Sequence, residues 1–265
     1  MNNDRIAVLG CGNIGMSLIE GILRQKMIGP ERIIATKRNI VLPGNSSVSG
    51  VKITSDNILA VKESRIVVIA VKSYNFSGVL SEIRNHLDPD KHILISVTTG
   101  IPISRIKDET YPGLPVFRAM PNISASVNSS VTCLSHNGEN ADVVARVKSL
   151  FENIGTAMVI DEGLMESATI LGSCGVAFAL RFIRAMIQGG IQIGFDAKTA
   201  SAIVNQTVRG AAELLIEGKQ HPEKEIDRVT TPKGCTIVGL NEMEHNGFSS
   251  SLIKGIVASF EKIER

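Results

Sequence analysis

Between Arg5 and Arg24 the chain reads RIAVLGCGNIGMSLIEGILR. A short β-branched run stops at Gly10, and from Met16 apolar residues return at helical spacing. Between them GCGNIG sets glycines at 10, 12 and 15. Few folds can use a strand, this loop and a helix in immediate succession. Gly10 permits the tight turn and Gly12 lets the backbone approach a pyrophosphate. Gly15 lets the helix pack close on the strand, and the unpaired helix amides face the negative charge. Leu9, Gly10, Cys11, Gly12, Asn13, Ile14 and Gly15 are therefore candidates for a dinucleotide loop. The alternative is a chance glycine-rich turn.

The chain beyond this loop keeps the same alternation. RIIATKR and VSGVKITSD read as strands two and three, and DNILAVKES as a helix capped by Asp56. RIVVIAVK is a fourth strand, NFSGVLSEIRNHL a helix and HILISVTTG a fifth strand. PVFRAMPN and SVTCLSH read as strands, NADVVARVKSLFENIG as a helix, and AMVID closes the pattern. Such alternation predicts a doubly wound, mostly parallel sheet over residues 1–161. From Glu162 onward no strand is evident. MESATILGSCGVAFALRFIRAMIQGG and AKTASAIVNQTVRGAAELLIEG read as long helices, followed by a short helix from Pro222 to Val229 and two more. Residues 162–265 are thus expected to be an all-helical second domain, with enough apolar face to want a partner subunit. The fold class expected is α/β, a Rossmann-type sheet followed by a helical dimerisation domain.

Bulk properties exclude several classes. The chain has 265 residues and a formal net charge of only +2, which gives no case for a nucleic-acid partner. It has no Trp and two Tyr, too few for a base-stacking surface. Cys11, Cys133, Cys174 and Cys235 are not paired at metal or redox spacing, and read as isolated thiols of a reducing, cytoplasmic compartment. MNNDRIAVLG lacks the long apolar region of a signal peptide. GVAFALRFIRAMIQGGIQIGF is interrupted by Arg181 and Arg184, so it reads as a buried helix with both arginines on its polar side rather than as a membrane span. His86, His92, His136, His221 and His245 lie apart in mostly polar settings and read as solvated; no metal-ligand cluster is visible.

The second strand decides which dinucleotide is expected. An NAD site usually ends that strand with an acid for the ribose hydroxyls. Here it ends ATKRN, with Thr36 followed by Lys37 and Arg38 where a 2′-phosphate would lie. That pattern favours NADP(H), with NAD(H) as the alternative and a solvated cation pair as the bland reading. Ala70, Val71 and Lys72 end strand four, and Thr98, Thr99 and Gly100 end strand five, at the carboxyl edge where a cofactor crevice opens.

Near the other end stands TTPKGCTIVGLNEME. Pro232 sets a turn, Gly234 relieves crowding before the helix, and the first helical amides carry partial positive charge. With Thr231, Cys235 and Thr236 around them, these amides make a place for a small carboxylate; the bland alternative is a capped helix.

Taken together, GCGNIG, DNILAVKESRIVVIAVK, FRAMPN and TTPKGCTIVGLNEME resemble pyrroline-5-carboxylate reductases over nearly the whole chain and in the same order. The resemblance implies NADPH-dependent reduction of 1-pyrroline-5-carboxylate to L-proline, an imino-acid substrate, and a homodimer through the helical domain or a higher homo-oligomer. It implies an active site formed between that dimer domain and the cofactor domain. Thr236 falls on the family threonine that contacts substrate and is the catalytic candidate. Thr231, Gly234 and Cys235 fall on the substrate loop, Glu162 on an acidic substrate-side position, and Asn57 on the asparagine at the ribose phosphate. Arg118, Met120, Pro121 and Asn122 match the family RxMPN segment, with Asn122 taken as a substrate contact. The chain departs from the family pattern at Ser73 (usually Pro), at GSCGVAF (usually SGSGPAY), at NISA (usually NTPA) and at Lys233 (usually Gly).

Three alternatives stay open. One is a reductase of another cyclic imine, such as a six-membered one. Another is a β-hydroxyacid dehydrogenase, disfavoured because Leu164 to Gln188 contains no lysine. The last is a non-catalytic NADP(H)-binding regulator.

Overall fold

A computed structural model describes residues 4–26, 28–38 and 48–263. It divides into two compact units, the first extending to Ser173 and the second running Cys174–Ile263. Residues 162–173, assigned from sequence to the helical part, therefore pack with the first unit.

The first unit is one eight-stranded sheet. Its strands are β1 (Ile6–Leu9), β2 (Ile33–Thr36), β3 (Lys52–Thr54), β4 (Ile66–Ile69), β5 (Ile93–Ser96), β6 (Val116–Met120), β7 (Ser130–His136) and β8 (Gly155–Val159). They lie in the order β3-β2-β1-β4-β5-β6-β7-β8. All neighbours are parallel except β6 and β7. The crossovers carry α1 (Asn13–Arg24), α2 (Asn57–Lys62), α3 (Ser73–Ile83), α4 (Ile103–Asp108) and α5 (Ala141–Glu152). Side chains of β1 alternate between the two faces, as the strand period requires. Ile6 and Val8 pack with Leu18, Ile19 and Ile22 of α1 and Leu150 and Phe151 of α5. Ala7 and Leu9 join Phe76, Leu80 and Ile83 of α3 and Ile103 and Ile106 of α4 on the other face. Because β1 is flanked by β2 on one side and β4 on the other, the order of strands reverses there. A crevice at the carboxyl ends of β1 and β4 is the consequence.

Strand and helix positions agree closely with the reading from sequence. Asp56 caps α2 by accepting from the Leu59 amide at 2.8 Å. One element was not anticipated: α4 is only six residues long, too short to show a period. A second difference is His92, read as solvated. It is 2% exposed; its Nδ1 accepts from the Asp88 amide at 2.8 Å and its Nε2 lies 3.2 Å from the Val61 carbonyl. Burial holds its pKa below the usual imidazole range.

After β8 comes a 3₁₀ turn at Glu162–Leu164, then α6 (Met165–Ala168) and a π-helical turn, Thr169–Cys174. This breaks what the apolar spacing suggests is one long helix. The second unit contains α7 (Gly175–Gln192), α8 (Ala197–Gly218), α9 (Pro222–Val229), α10 (Cys235–His245) and α11 (Phe248–Ile263). Gly190 lets α7 approach α8, since a Cβ there would stand 3.2 Å from that of Ala200. Phe182 of α7 meets Phe248 of α11 with ring centroids 6.0 Å apart. The expectation of a buried helix at α7 does not hold within one chain. None of its residues is buried, and in α8 only Ala200 and Val204 are. Too few layers exist in this unit to cover its own apolar faces, and Leu180, Ile203, Leu214, Ile216, Leu252 and Ile253 stand exposed.

Candidate functional site

The crevice predicted by the strand order is a cavity of about 590 Å³. It is lined by Gly10, Cys11, Gly12, Asn13 and Ile14 of the glycine loop, Lys37 and Arg38 after β2, Ala70, Val71 and Lys72 after β4, and Thr98 and Thr99 after β5. A smaller recess of about 80 Å³ shares Gly10, Lys37, Arg38 and Val71 with it and adds Thr36 and Asn57. Three of the expected cofactor residues line neither space. Leu9 is fully buried in β1, Gly15 is buried inside α1, and Gly100 follows Thr99 around a left-handed turn at φ +75°. Leu9 and Gly15 shape the loop from beneath. Ser73, at the end of the AVKS stretch, also lines the cavity, and the reading from sequence missed Asn75, Val97, Ser55 and Val79. Asn75 and Val79 are four apart on α3, so one helix face supplies both.

Local chemistry explains the loop. Gly10 sits at φ +103°, and a Cβ on it would lie 2.7 Å from Val71 Cγ1 and 2.8 Å from the Ala70 carbonyl oxygen. Its amide donates to the Thr36 carbonyl and hydroxyl, both at 3.2 Å, and the Cys11 amide donates to the same carbonyl at 2.9 Å. Thr36 thereby ties the loop to β2. Gly12 differs: no heavy atom lies within 4 Å of where its Cβ would be. A methyl there would enter open space in the cavity without disturbing the fold. Gly12→Ala is therefore expected to change stability by no more than about 1 kcal/mol and to weaken NADPH binding by roughly tenfold or more. Calorimetry and fluorescence titration of the same sample check both halves. Equal affinity in mutant and wild type would remove the loop from the binding site.

Charge points the same way. Lys37, Arg38 and Lys72 border the cavity, and among the described residues no Asp or Glu lines it or its recess. The set suits a polyanion. Asn57 at the recess already donates to Glu82 at 2.8 Å through its side-chain amide. Cys11 is buried in the cavity wall, and burial pushes its thiol up to about 11 from 9.0, with Lys37 opposing. A raised pKa keeps the thiol protonated until the pH approaches that value. Iodoacetamide at about pH 8 should accordingly leave Cys11 unmodified in the folded protein and label it after denaturation. Labelling of the native protein at Cys11 would contradict the burial.

In the second unit, the turn Thr231–Gly234 closes through the Gly234 amide, which donates to the Thr231 carbonyl at 2.9 Å. Lys233 sits in it at φ +60°, the region where glycine is at ease. Gly234 is the N-cap of α10, and no side chain caps the first turn. Cys235 and Thr236 are its first two residues, Cys235 exposed and Thr236 half-buried. Amides without an intrahelical partner thus face outward beside a hydroxyl and a thiol, an arrangement that can hold a carboxylate.

Two expected substrate residues, Glu162 through Oε1 and Asn122 through both of its side-chain polar atoms, are engaged inside the first unit. Glu162 Oε1 accepts from the Ile103 amide at 2.7 Å and faces Arg118 Nη1 at 3.4 Å. Asn122 Oδ1 accepts from the Ser124 amide at 2.9 Å, and its Nδ2 donates to the Gly172 carbonyl at 2.8 Å within the π turn.

Fold and site define an oxidoreductase of the doubly wound, pyridine-dinucleotide class. A family model described as pyrroline-5-carboxylate reductase dimerisation matches residues 162–265, and one described as NADP oxidoreductase, coenzyme F420-dependent, matches residues 5–100. Pyrroline-5-carboxylate reductase 2 of Dictyostelium discoideum is 40% identical over 98% of this chain and 92% of its own. Pyrroline-5-carboxylate reductase 1 of the same organism is 42% identical over 97% of this chain, which spans 49% of that longer protein. Among solved structures, Plasmodium falciparum pyrroline carboxylate reductase with NADP bound superposes with a TM-score of 0.90 at 26% identity, covering 99% of this chain and 98% of that one. The chain belongs to the pyrroline-5-carboxylate reductase family, oxidoreductases acting on a C=N bond.

Proposed function

We propose that this protein reduces 1-pyrroline-5-carboxylate to L-proline with NADPH. The observation that carries it is 40% identity to a named reductase across 92% of that protein's length, and both expected halves of the chemistry occur in the chain. The bound cofactor supplies a hydride. The glycine loop and the start of α1 hold its pyrophosphate, while Lys37 and Arg38 take the 2′-phosphate. The amides of Cys235 and Thr236, beyond the N-cap Gly234, bind the substrate carboxylate, with Thr231 and Cys235 shaping the pocket, and the Thr236 hydroxyl steadies the ring nitrogen. A protonated cyclic imine is already a strong hydride acceptor. The protein therefore has chiefly to orient it, and backbone amides with one hydroxyl are enough.

The test is direct. Protein mixed with NADPH and 1-pyrroline-5-carboxylate should bleach the reduced-nicotinamide band. Turnover only with a six-membered imino acid would change the substrate, and no turnover with either would leave a cofactor-binding regulator.

Assembly follows from the unpartnered helices. Residues Glu162–Gln192 are long and apolar enough to cross a membrane by composition. Arg181 and Arg184 would each cost about 2.5–3.5 kcal/mol near a bilayer centre, and the dimerisation model covers this stretch. We assign the apolar faces to a second copy of the chain. Sedimentation at roughly micromolar concentration should show a dimer or larger; a monomer would contradict this. Four free cysteines fit a reducing cytosol.

A further inference from the structure

We propose that Glu162 and Arg118 position the wall of the cofactor cavity, acting through the start of α4 rather than on the substrate. This rests on the reductase reading for its kinetic test, though not for its structural one.

The wall in question is the segment after β5. Val97, Thr98 and Thr99 line the cavity, and four residues beyond Thr99 the chain enters α4 at Ile103. On its inner side the wall is tied by the Thr98 hydroxyl, which donates to the Val71 carbonyl at 3.1 Å. Its far end depends on how α4 begins. The N-cap there is Pro102, which offers no capping side chain. Glu162 supplies the missing acceptor from another part of the chain, taking the Ile103 amide at 2.7 Å. An acceptor at this point also opposes the positive end of the helix.

Arg118 holds Glu162 in turn. It projects from β6, only 3% exposed. Its Nη1 pairs with Glu162 at 3.4 Å, and its Nη2 lies 3.0 and 3.1 Å from the two Glu166 oxygens. Among the described residues its Nε is buried and without a partner. Burying a guanidinium with an unpaired nitrogen is a poor way to gain stability. What the cluster achieves is geometric. One cation in the sheet fixes two carboxylates of residues 162–166, and one of these fixes α4 and the end of the wall. Both contacts use Oε1, and through that oxygen Glu162 is a positioning residue for the hydride-transfer geometry.

Glu162→Ala and Glu162→Gln separate this from direct substrate contact, because glutamine keeps an oxygen acceptor for Ile103 and loses only the charge. In Glu162→Ala, kcat per NADPH-binding site should fall by about tenfold or more, as expected for a small displacement of reacting groups. The isotope effect with NADPH deuterated at C4 should rise, while KM for the imino acid stays within about twofold. In Glu162→Gln the fall should be no more than about threefold. If the carboxylate instead contacts substrate, both variants will lose activity alike and KM will rise, which overturns the proposal. An unchanged kcat per binding site in Glu162→Ala, with only a lower melting temperature, also overturns it. Should the wild type turn nothing over, the reductase reading fails, and amide exchange decides the inference. The Ile103 amide should exchange about tenfold faster in Glu162→Ala but not in Glu162→Gln, with amides of β5 unchanged; equal exchange in all three proteins refutes the brace.

Discussion

NADPH affinity should fall by roughly a hundredfold to ten-thousandfold in the double variant Lys37→Ala, Arg38→Ala, while NADH affinity changes by no more than about threefold. Each side chain is expected to give the 2′-phosphate a charge-assisted hydrogen bond of about 1.5–3 kcal/mol, and NADH has no phosphate there to lose. Position supports the assignment. Both cations line the main cavity and its recess, immediately after β2. No acid stands at that strand end to bind the free ribose hydroxyls of NADH. Neither substitution removes buried apolar surface, so melting temperature should hardly change. Fluorescence titration with the two cofactors in parallel measures the split. Equal losses for NADPH and NADH would show that the pair acts only as a general positive field, and a loss below about threefold for both would leave it as solvated surface charge.

Thr236→Val is expected to lower kcat/KM for the imino acid by roughly tenfold to a hundredfold. Valine matches threonine in shape, so the change isolates the hydroxyl. Thr236 is the second residue of α10, half-buried, in a first turn that no side chain caps. Among the described residues its hydroxyl has no hydrogen-bond partner, which leaves it available to a ligand and makes its loss cheap for the fold. Stability should therefore change by less than about 1 kcal/mol, and NADPH affinity should stay at the wild-type value. Initial rates, cofactor titration and a thermal melt on one preparation are enough. A variant that melts early yet is fully active in its folded fraction would make this stretch a structural cap.

How much could be read from the residues depended on the range of the forces involved. The sheet was legible because β1, β4 and β5 are uninterrupted apolar runs of strand length, flanked by helices with their own period. The glycine loop was legible because its constraint is local: backbone space at Gly10 and Gly12, and the amides of α1. Asn75 and Val79 were not, since a side chain four residues along a helix joins the recess only once α3 is docked on the sheet. The assignment of Glu162 and Asn122 as substrate residues rests on resemblance alone. Their hydrogen bonds to Ile103 and Gly172, 59 and 50 positions distant, are products of tertiary packing that no local pattern announces. His92 reads as solvated from sequence but is buried, as its polar neighbours in sequence are not its surroundings in the fold. The exposed face of α7 shows the reverse case. Its composition calls for burial, yet none of its residues is buried within this chain.

Transfer of the hydride itself is the most direct test of the reductase account. Protein would be incubated with 1-pyrroline-5-carboxylate and NADPH carrying deuterium at both C4 positions of the nicotinamide, and the product examined by mass spectrometry. The account predicts L-proline carrying one deuterium, bonded to the former imine carbon, with NADP⁺ formed in equal amount. Failure to form proline, or proline formed without deuterium, would contradict it.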